Sequence, residues 1–417
     1  MDEDKKAPWA LVEPEDVAPG EERTNPFGLV MIIGLFALLW FWAGPRYFLV
    51  VLGLMIMIFL HELGHFVTAR WTGMKATQFF LFMGPRIWSF RRGETEYGLR
   101  SLPLGAFVKI VGMNNLDPTP PEDEHRAYRN KSYPRKMLVI TAGSMMHFIQ
   151  ALILFIVLSS VIGSPDYDRW TISAISRLET GETPSVEAGL VPGETILSVD
   201  GTSSTNFRDL QEYLRDRPGE EVALEVQGLD DSVRTVSTEL ATVPLSNGDE
   251  IGFLGITPAT ERARTSPVEG MENFGIAFWE SLKAIPRLLS PTTYLNLVGL
   301  MFQGQEEVSL TSEEAQNRPV SMVGAVRLAG SASFDWAFPV SMLAFINIFV
   351  GIFNLVPLLP LDGGHAAIAT YERIRSRDGK PYHMDVAKLL PLTYVVIAML
   401  GFLMLTTIWL DIFRPIG

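Results

Sequence analysis

Apolar residues gather in runs long enough to cross a bilayer, and the polar stretches between them set the organisation of the chain. Phe27 to Ala43 is the first run, of marginal spanning length, and Gly44-Pro45-Arg46 separates it from a second that continues unbroken from Tyr47 to Leu60. Glycine and proline together break a helix, so the first run is either a short span or one half of a membrane hairpin. Met137 to Ile162, Pro339 to Val356 and about Leu389 to Leu410 are further spans. Each is near the roughly 20 residues that a helix needs to cross about 30 Å of hydrocarbon. The pattern predicts a polytopic α-helical membrane protein with four or five spans.

The intervening segments read differently. From about Trp170 to about Thr260, apolar and polar residues alternate and glycines mark turns, the signature of an inserted α/β domain. Strands are expected from Glu221 to Val226 and from Arg234 to Thr238, with an amphipathic helix from Ser204 to Arg215. Phe274 to Leu300 is aromatic and amphipathic, and its Glu280, Lys283 and Arg287 weigh against a span and for a helix on a membrane surface. Thr95 to Val111 mixes Gly98, Pro103 and Gly105 with apolar residues, which suits a short β-hairpin. It either dips into the membrane or forms an ordinary loop. The expected divisions are an acidic, disordered tail (1–26), an N-terminal membrane part (27–163), the inserted domain (168–260), an amphipathic linker region (261–338) and a C-terminal membrane part (339–417).

Charge orients these pieces. Arginine and lysine crowd the segment from Arg70 to Lys136, and Arg373, Arg375, Arg377 and Lys380 form a second basic loop. The positive-inside rule makes both cytoplasmic and the inserted domain extracytoplasmic, in a multi-pass plasma-membrane protein. A net charge of -13 argues against a nucleic-acid partner. The chain has no cysteine, so a metal site must draw on histidine and carboxylates.

One such set ends the second apolar run: His61-Glu62-Leu63-Gly64-His65. Residues four apart share a helix face, so both imidazoles can reach one ion while Glu62 stands beside it as a general base. Short patterns of this kind also arise by chance on soluble helices, but ionisable groups in a membrane helix are costly and mark function. With a helix entering the hydrocarbon near Tyr47, His61 lies about 20 Å along it, toward the cytoplasmic face. Asn354 lies at a comparable depth in the fourth run, and Pro357 and Pro360 break the helix before Leu361-Asp362-Gly363-Gly364-His365. The topology brings His61, His65 and Asp362 to one level from two helices running the same way. Two histidines and a carboxylate leave a fourth zinc position open for water. Taken alone, Asp362 reads better as a helix-capping aspartate before Gly363 and Gly364, which needs no metal. His147, in the third run, is either a further ligand or a histidine hydrogen-bonded to a neighbour.

HExxH in one helix, followed by Asn354-Leu355-Val356-Pro357-Leu358-Leu359-Pro360-Leu361-Asp362-Gly363 in another, resembles the site-2 proteases, intramembrane zinc metalloproteases. Between these motifs, the stretch from Glu187 to Gly201 resembles the helix-turn-strand signature of PDZ domains. The arrangement is similar to the bacterial branch with one PDZ domain, as in actinobacterial regulated intramembrane proteases. The resemblance covers roughly residues 47 to 410. It implies that His61, His65 and Asp362 bind Zn2+, that Glu62 is the general base, and that Asn354 holds the substrate backbone or the oxyanion. It implies a membrane-associated β-hairpin, from Gly98 to Val108, near the substrate. It further implies cleavage of transmembrane segments in single-span membrane proteins, such as anti-sigma factors, after an upstream site-1 type protease has trimmed them outside.

The chain departs from the family pattern in three places. The third-span Ala-Gly-Pro-x-x-Asn reads Ala142-Gly143-Ser144-Met145-Met146-His147, the Gly-Phe-Gly type loop reads Leu81-Phe82-Met83-Gly84-Pro85, and the run from 27 to 43 is additional. Two rival readings remain at this point. A scaffold with a vestigial metal site would have no need of Glu62, and a metal transporter using His61, His65, His147 and Asp362 as a relay would survive Glu62→Gln.

Overall fold

The computed structural model describes residues 22–113, 119–175, 183–203, 206–244, 250–302, 318–330, 337–376 and 382–416. Most of the tail expected at 1–26 lies outside the described residues. Its last residues depart from the expectation: strand β1, Glu22–Thr24, pairs antiparallel with Phe90, Ser89 and Trp88. Pairing at a sheet edge uses backbone groups alone, so composition does not reveal it.

Helix α1, Pro26–Leu38, is opened by Asn25, whose side chain accepts from the Gly28 N–H at 3.3 Å. A wider turn, Leu39–Ala43, carries it to Gly44, where φ of +97° reverses the chain into α2, Pro45–Trp71. Strands β2, Ala76–Arg92, and β3, Thr95–Ile110, follow. β2 bends where Phe82 and Gly84 take φ of +72° and +83°. As a result Phe79 pairs with Val108 on one side and Tyr97 on the other, and Phe90 beyond the bend pairs with Tyr97 as well. The hairpin expected within 95–111 is therefore not a local one. Its two halves are separated by residues 78–81 of the preceding strand, which supplies partners to both.

Two short turns, Pro121–Arg126 and Tyr128–Asn130, lead into α3, Tyr133–Val157. Among the described residues five helical segments are long and apolar enough to cross a membrane: Pro26–Ala43, Tyr47–Trp71, Tyr133–Ile162, Ala337–Asn354 and Leu390–Phe413. The first of these fills the place that the apolar pattern left open between four spans and five.

Ile156–Gly270 forms a unit of its own. It contains β4 (Ser164–Ile175), α4 (Pro184–Glu187), β5 (Thr195–Val199), β6 (Thr202–Ser203), α5 (Phe207–Arg215), β7 (Glu221–Gln227), β8 (Val233–Glu239), β9 (Ala241–Pro244), β10 (Glu250–Phe253) and β11 (Ile256–Ala263). Its largest sheet runs β6-β5-β7-β8, and two antiparallel pairs, β10-β9 and β11-β4, complete it. The two-residue period of β7 turns Val222, Leu224 and Val226 inward to full burial against Ile196, Leu210 and Ile172. Asn206 caps α5 by accepting from the Arg208 N–H at 2.9 Å.

The other unit resumes with α6 (Pro267–Leu288), α7 (Pro291–Met301), α8 (Met322–Gly330), α9 (Ala337–Asn354), α10 (Asp362–Arg375) and α11 (Leu390–Phe413). On α6, Phe274 and Phe278 meet Phe155 and Phe148, while Met271, Ile276 and Trp279 remain exposed. A buried polar knot ties α11 to the chain before α8. Arg318 donates to Asp411 Oδ1 at 3.1 Å and to the Arg414 carbonyl at 2.9 Å, and Asp411 Oδ2 accepts from the Ser321 N–H at 2.7 Å.

Candidate metal centre

The centre is assembled by close approach of four helices, α2, α3, α9 and α10. Gly53 of α2 lets Leu343 of α9 lie against the backbone, where a Cβ would meet Leu343 Cδ1 at 2.6 Å. Val50, Leu54 and Met57 pack there with Met342, Leu343 and Ile346. Helix α3 comes nearer still. A Cβ on Gly64 would lie 2.8 Å from the Ala142 carbonyl oxygen, and one on Gly143 would lie 2.4 Å from His61 Cε1 and 2.5 Å from His65 Nε2. The absence of these side chains allows α3 to wall the histidines, which are 9% and 5% exposed. Beyond α9 the chain turns back at residues 355–361. Gly363 and Gly364 then press α10 against that turn, where Cβ atoms would meet the Val356 carbonyl oxygen at 2.2 Å and the Leu359 nitrogen at 2.6 Å.

The result is a convergence of donor atoms. His61 Nε2 and His65 Nε2 are 3.2 Å apart, and Asp362 Oδ2 lies 3.5 Å from the first and 3.3 Å from the second. The ligand atoms of the three residues all fall within 4.8 Å of one another. His65 Nδ1 lies 2.8 Å from the Val139 carbonyl oxygen. A carbonyl only accepts, so Nδ1 carries the proton and the neutral ring presents its Nε2 lone pair inward. Asp362 Oδ2 is buried with no hydrogen bond among the described residues. Lone pairs gathered this closely repel unless a cation sits among them. Two imidazoles and a carboxylate fit zinc and leave one tetrahedral position open.

Glu62 is half-buried beside the histidines, and the backbone of Val108 on β3 hydrogen-bonds its carboxylate. Asn354, also half-buried, ends α9. His147 is not part of the converging set. Its Nδ1 is 3.0 Å from Asn347 Oδ1, Asn347 Nδ2 donates to the Leu343 carbonyl at 2.8 Å, and the His147 ring stands 4.9 Å from that of His61. Of the two roles open to His147 from sequence, the structure shows the hydrogen-bonded one. Its partner Asn347 carried no sequence signal, because it lies on another helix far along the chain. Gly64 sat in view within the HExxH motif, yet only the position of α3 gives it a purpose.

A histidine and carboxylate cluster buried between apolar helices defines a membrane metalloenzyme. Sequence comparison narrows the class: the chain belongs to peptidase family M50, whose pattern matches residues 48–401, and it is a zinc metalloprotease of the site-2 type. The zinc metalloprotease Rip1 of Mycolicibacterium smegmatis is 31% identical over 409 residues, covering 88% of this chain and 97% of that protein. Rip1 of Mycobacterium tuberculosis is 32% identical over 407 residues, with the same 88% and 97% coverage.

Proposed function

We propose that this protein hydrolyses peptide bonds in the transmembrane segments of other membrane proteins, with His61, His65 and Asp362 holding zinc and Glu62 as general base. The observation that carries the reading is the convergence of three donor atoms, one of them an unsatisfied buried carboxylate oxygen, beside a glutamate at the end of an apolar helix. Zinc bound there supplies a water with pKa near 7 and a Lewis acid for the scissile carbonyl. Glu62, beside the histidines, would act as the general base, taking a proton from the attacking water and returning it to the leaving amide nitrogen as the peptide bond breaks. Asn354 holds the substrate backbone or the oxyanion. A helix hides its amides, so the substrate must unwind, and β3 near Val108 offers backbone groups to an extended chain as a membrane-associated hairpin would.

The unit at Ile156–Gly270 is read as the PDZ domain. The stretch from Glu187 to Gly201 takes in the last residue of the short helix α4, a glycine turn and strand β5, followed by α5 and the paired strands β7 and β8. It sorts substrates from the extracytoplasmic side, by excluding bulky ectodomains or by binding a newly exposed chain end. The single-span substrates envisaged, anti-sigma factors among them, arrive already cut by a site-1 type protease. The likeness to the two Rip1 metalloproteases supports the zinc-protease part of this reading.

The test is co-expression of wild type and Glu62→Gln with a tagged single-span substrate. Wild type is expected to release the tagged fragment and the variant to leave it intact. Equal cleavage by both would sink the reading. Metal analysis of His65→Ala and Asp362→Ala, each expected to lose zinc, checks the ligand set independently.

A further inference from the structure

Away from the metal centre, the start of α3 and the last turn of α10 enclose a second site. The cavity is about 480 Å³ and its wall carries Arg129, Lys131, Lys136 and Arg373 against one carboxylate, Glu372. That carboxylate is already engaged on both oxygens. Its Oε2 accepts from Lys136 Nζ at 3.2 Å and its Oε1 from the Met384 N–H at 2.9 Å. Lys136 is buried, with its ammonium 5.2 Å from the Tyr128 ring centre. Arg129 is turned toward Glu124, donating from Nε to Oε1 at 2.8 Å. Among the described residues neither of the other two cations pairs with an acid. Lys131 donates to the neutral His125 carbonyl at 3.2 Å, and no carboxylate pairs with Arg373 among the described residues.

Uncompensated positive charge in a cavity is an electrostatic cost that an anion removes. Burial, together with repulsion from Arg135 and Arg126, holds the Lys131 ammonium below the usual lysine range. The position of the cavity narrows the kind of anion. Tyr133 opens a candidate membrane span, and the start of a span is the level of lipid headgroups, where basic pockets between helices take up phosphate esters. Cations arriving from two separate elements suit a tetrahedral phosphate better than a planar carboxylate, whose two oxygens lie in one plane.

We propose that this cavity is a binding site for a phosphate-bearing anion, contacted by Lys131 and Arg373 above the buried Lys136–Glu372 pair. The site is independent of the proteolytic reading. Its ligand is a phosphodiester headgroup of an anionic lipid or a free phosphate compound, and the chemistry of recognition is the same for both.

The experiment uses the full chain in two arms, with wild type, the double variant Lys131→Gln/Arg373→Gln, and Lys131→Arg/Arg373→Lys as the charge-preserving control. Both altered side chains stand at the cavity wall, apart from the buried pair. In the first arm, native mass spectrometry after exchange compares retained phosphatidylglycerol with retained phosphatidylcholine. In the second, the protein in phosphatidylcholine nanodiscs is titrated with inorganic phosphate and glycerol phosphate, and thermal unfolding is followed. A preference of about tenfold or more for phosphatidylglycerol, lost in the glutamine variant and kept in the control, establishes a lipid headgroup as ligand. A saturable rise in unfolding temperature with the same variant pattern establishes a free phosphate. Wild type and glutamine variant indistinguishable in both arms would overturn the proposal.

Discussion

Gly143 on α3 faces His61 so closely that a methyl group at its Cα would lie 2.4 Å from the imidazole Cε1. No side chain can be added there without displacing a ligand ring, because His65 Nε2 would be only 2.5 Å from the same methyl. Gly143→Ala is therefore expected to lower zinc retention and to reduce cleavage by about a hundredfold, the usual penalty for roughly 1 Å of misplacement at a reacting centre. Metal analysis after dialysis, run beside Gly34→Ala, checks this. A Cβ at Gly34 meets nothing within 4 Å, so that variant should match wild type.

The His147–Asn347 contact makes a different prediction. Asn347→Leu removes the acceptor of a buried imidazole and should cost about 1–3 kcal/mol of stability. Zinc content should stay near that of wild type, since His147 stands outside the ligand set. Thermal unfolding of the two proteins, each assayed for bound zinc, separates this structural role from a ligand role. Loss of zinc in Asn347→Leu without loss of stability would contradict it.

These two cases show where sequence reasoning reaches its limit. Periodicity and spacing place His61 and His65 on one helix face, and the break at Pro357 and Pro360 marks Asp362, because those signals are local. The apolar runs give the helices for the same reason. Gly143 and Asn347 depend on which surfaces of α2, α3 and α9 meet, which no local pattern encodes. The separation of the two halves of β3 by residues 78–81 is likewise a matter of long-range pairing, hidden behind a run of glycine and proline that reads equally well as a local hairpin. The strand at Glu22–Thr24 is invisible to composition because its contribution is backbone alone.

The knot around Asp411 should matter to stability far more than its distance from the metal suggests. Arg318 and Asp411 are both almost fully buried. Asp411→Ala removes the carboxylate that pairs with Arg318 and accepts from the Ser321 N–H, a loss of about 3–5 kcal/mol for a buried ion pair. The unfolding midpoint of the purified protein should fall sharply, and limited proteolysis should open the chain ahead of α8 first. A midpoint within experimental error of wild type would refute this.

Acid should weaken one contact outside the membrane in a defined window. Arg126 donates to both oxygens of Glu94 at 2.5 and 2.6 Å, and this hydrogen bonding holds the Glu94 carboxyl below the usual glutamate range. A depressed carboxyl contributes stability above its unfolded value near 4.3, and that contribution is lost as pH falls through the lower folded value. Wild type should exceed Glu94→Gln in unfolding midpoint by a small, constant margin above about pH 5, worth less than about 1 kcal/mol for a pair this open to water. The margin should close as the pH drops below about 4. A margin that persists unchanged into acid would show that the contact is not ionic in origin.

Asp362 enters the metal centre from a helix made long after His61 and His65 have left the ribosome. Until α9 and α10 are in place, the two histidines are an incomplete claw with no counter-charge, and Gly143 has walled only half a chamber. The donor set is thus complete only when α2, the second span, and α10, which follows the fourth, have found each other. A chain interrupted anywhere before Asp362 lacks one of the three converging donors, so the set cannot close until α10 has been made.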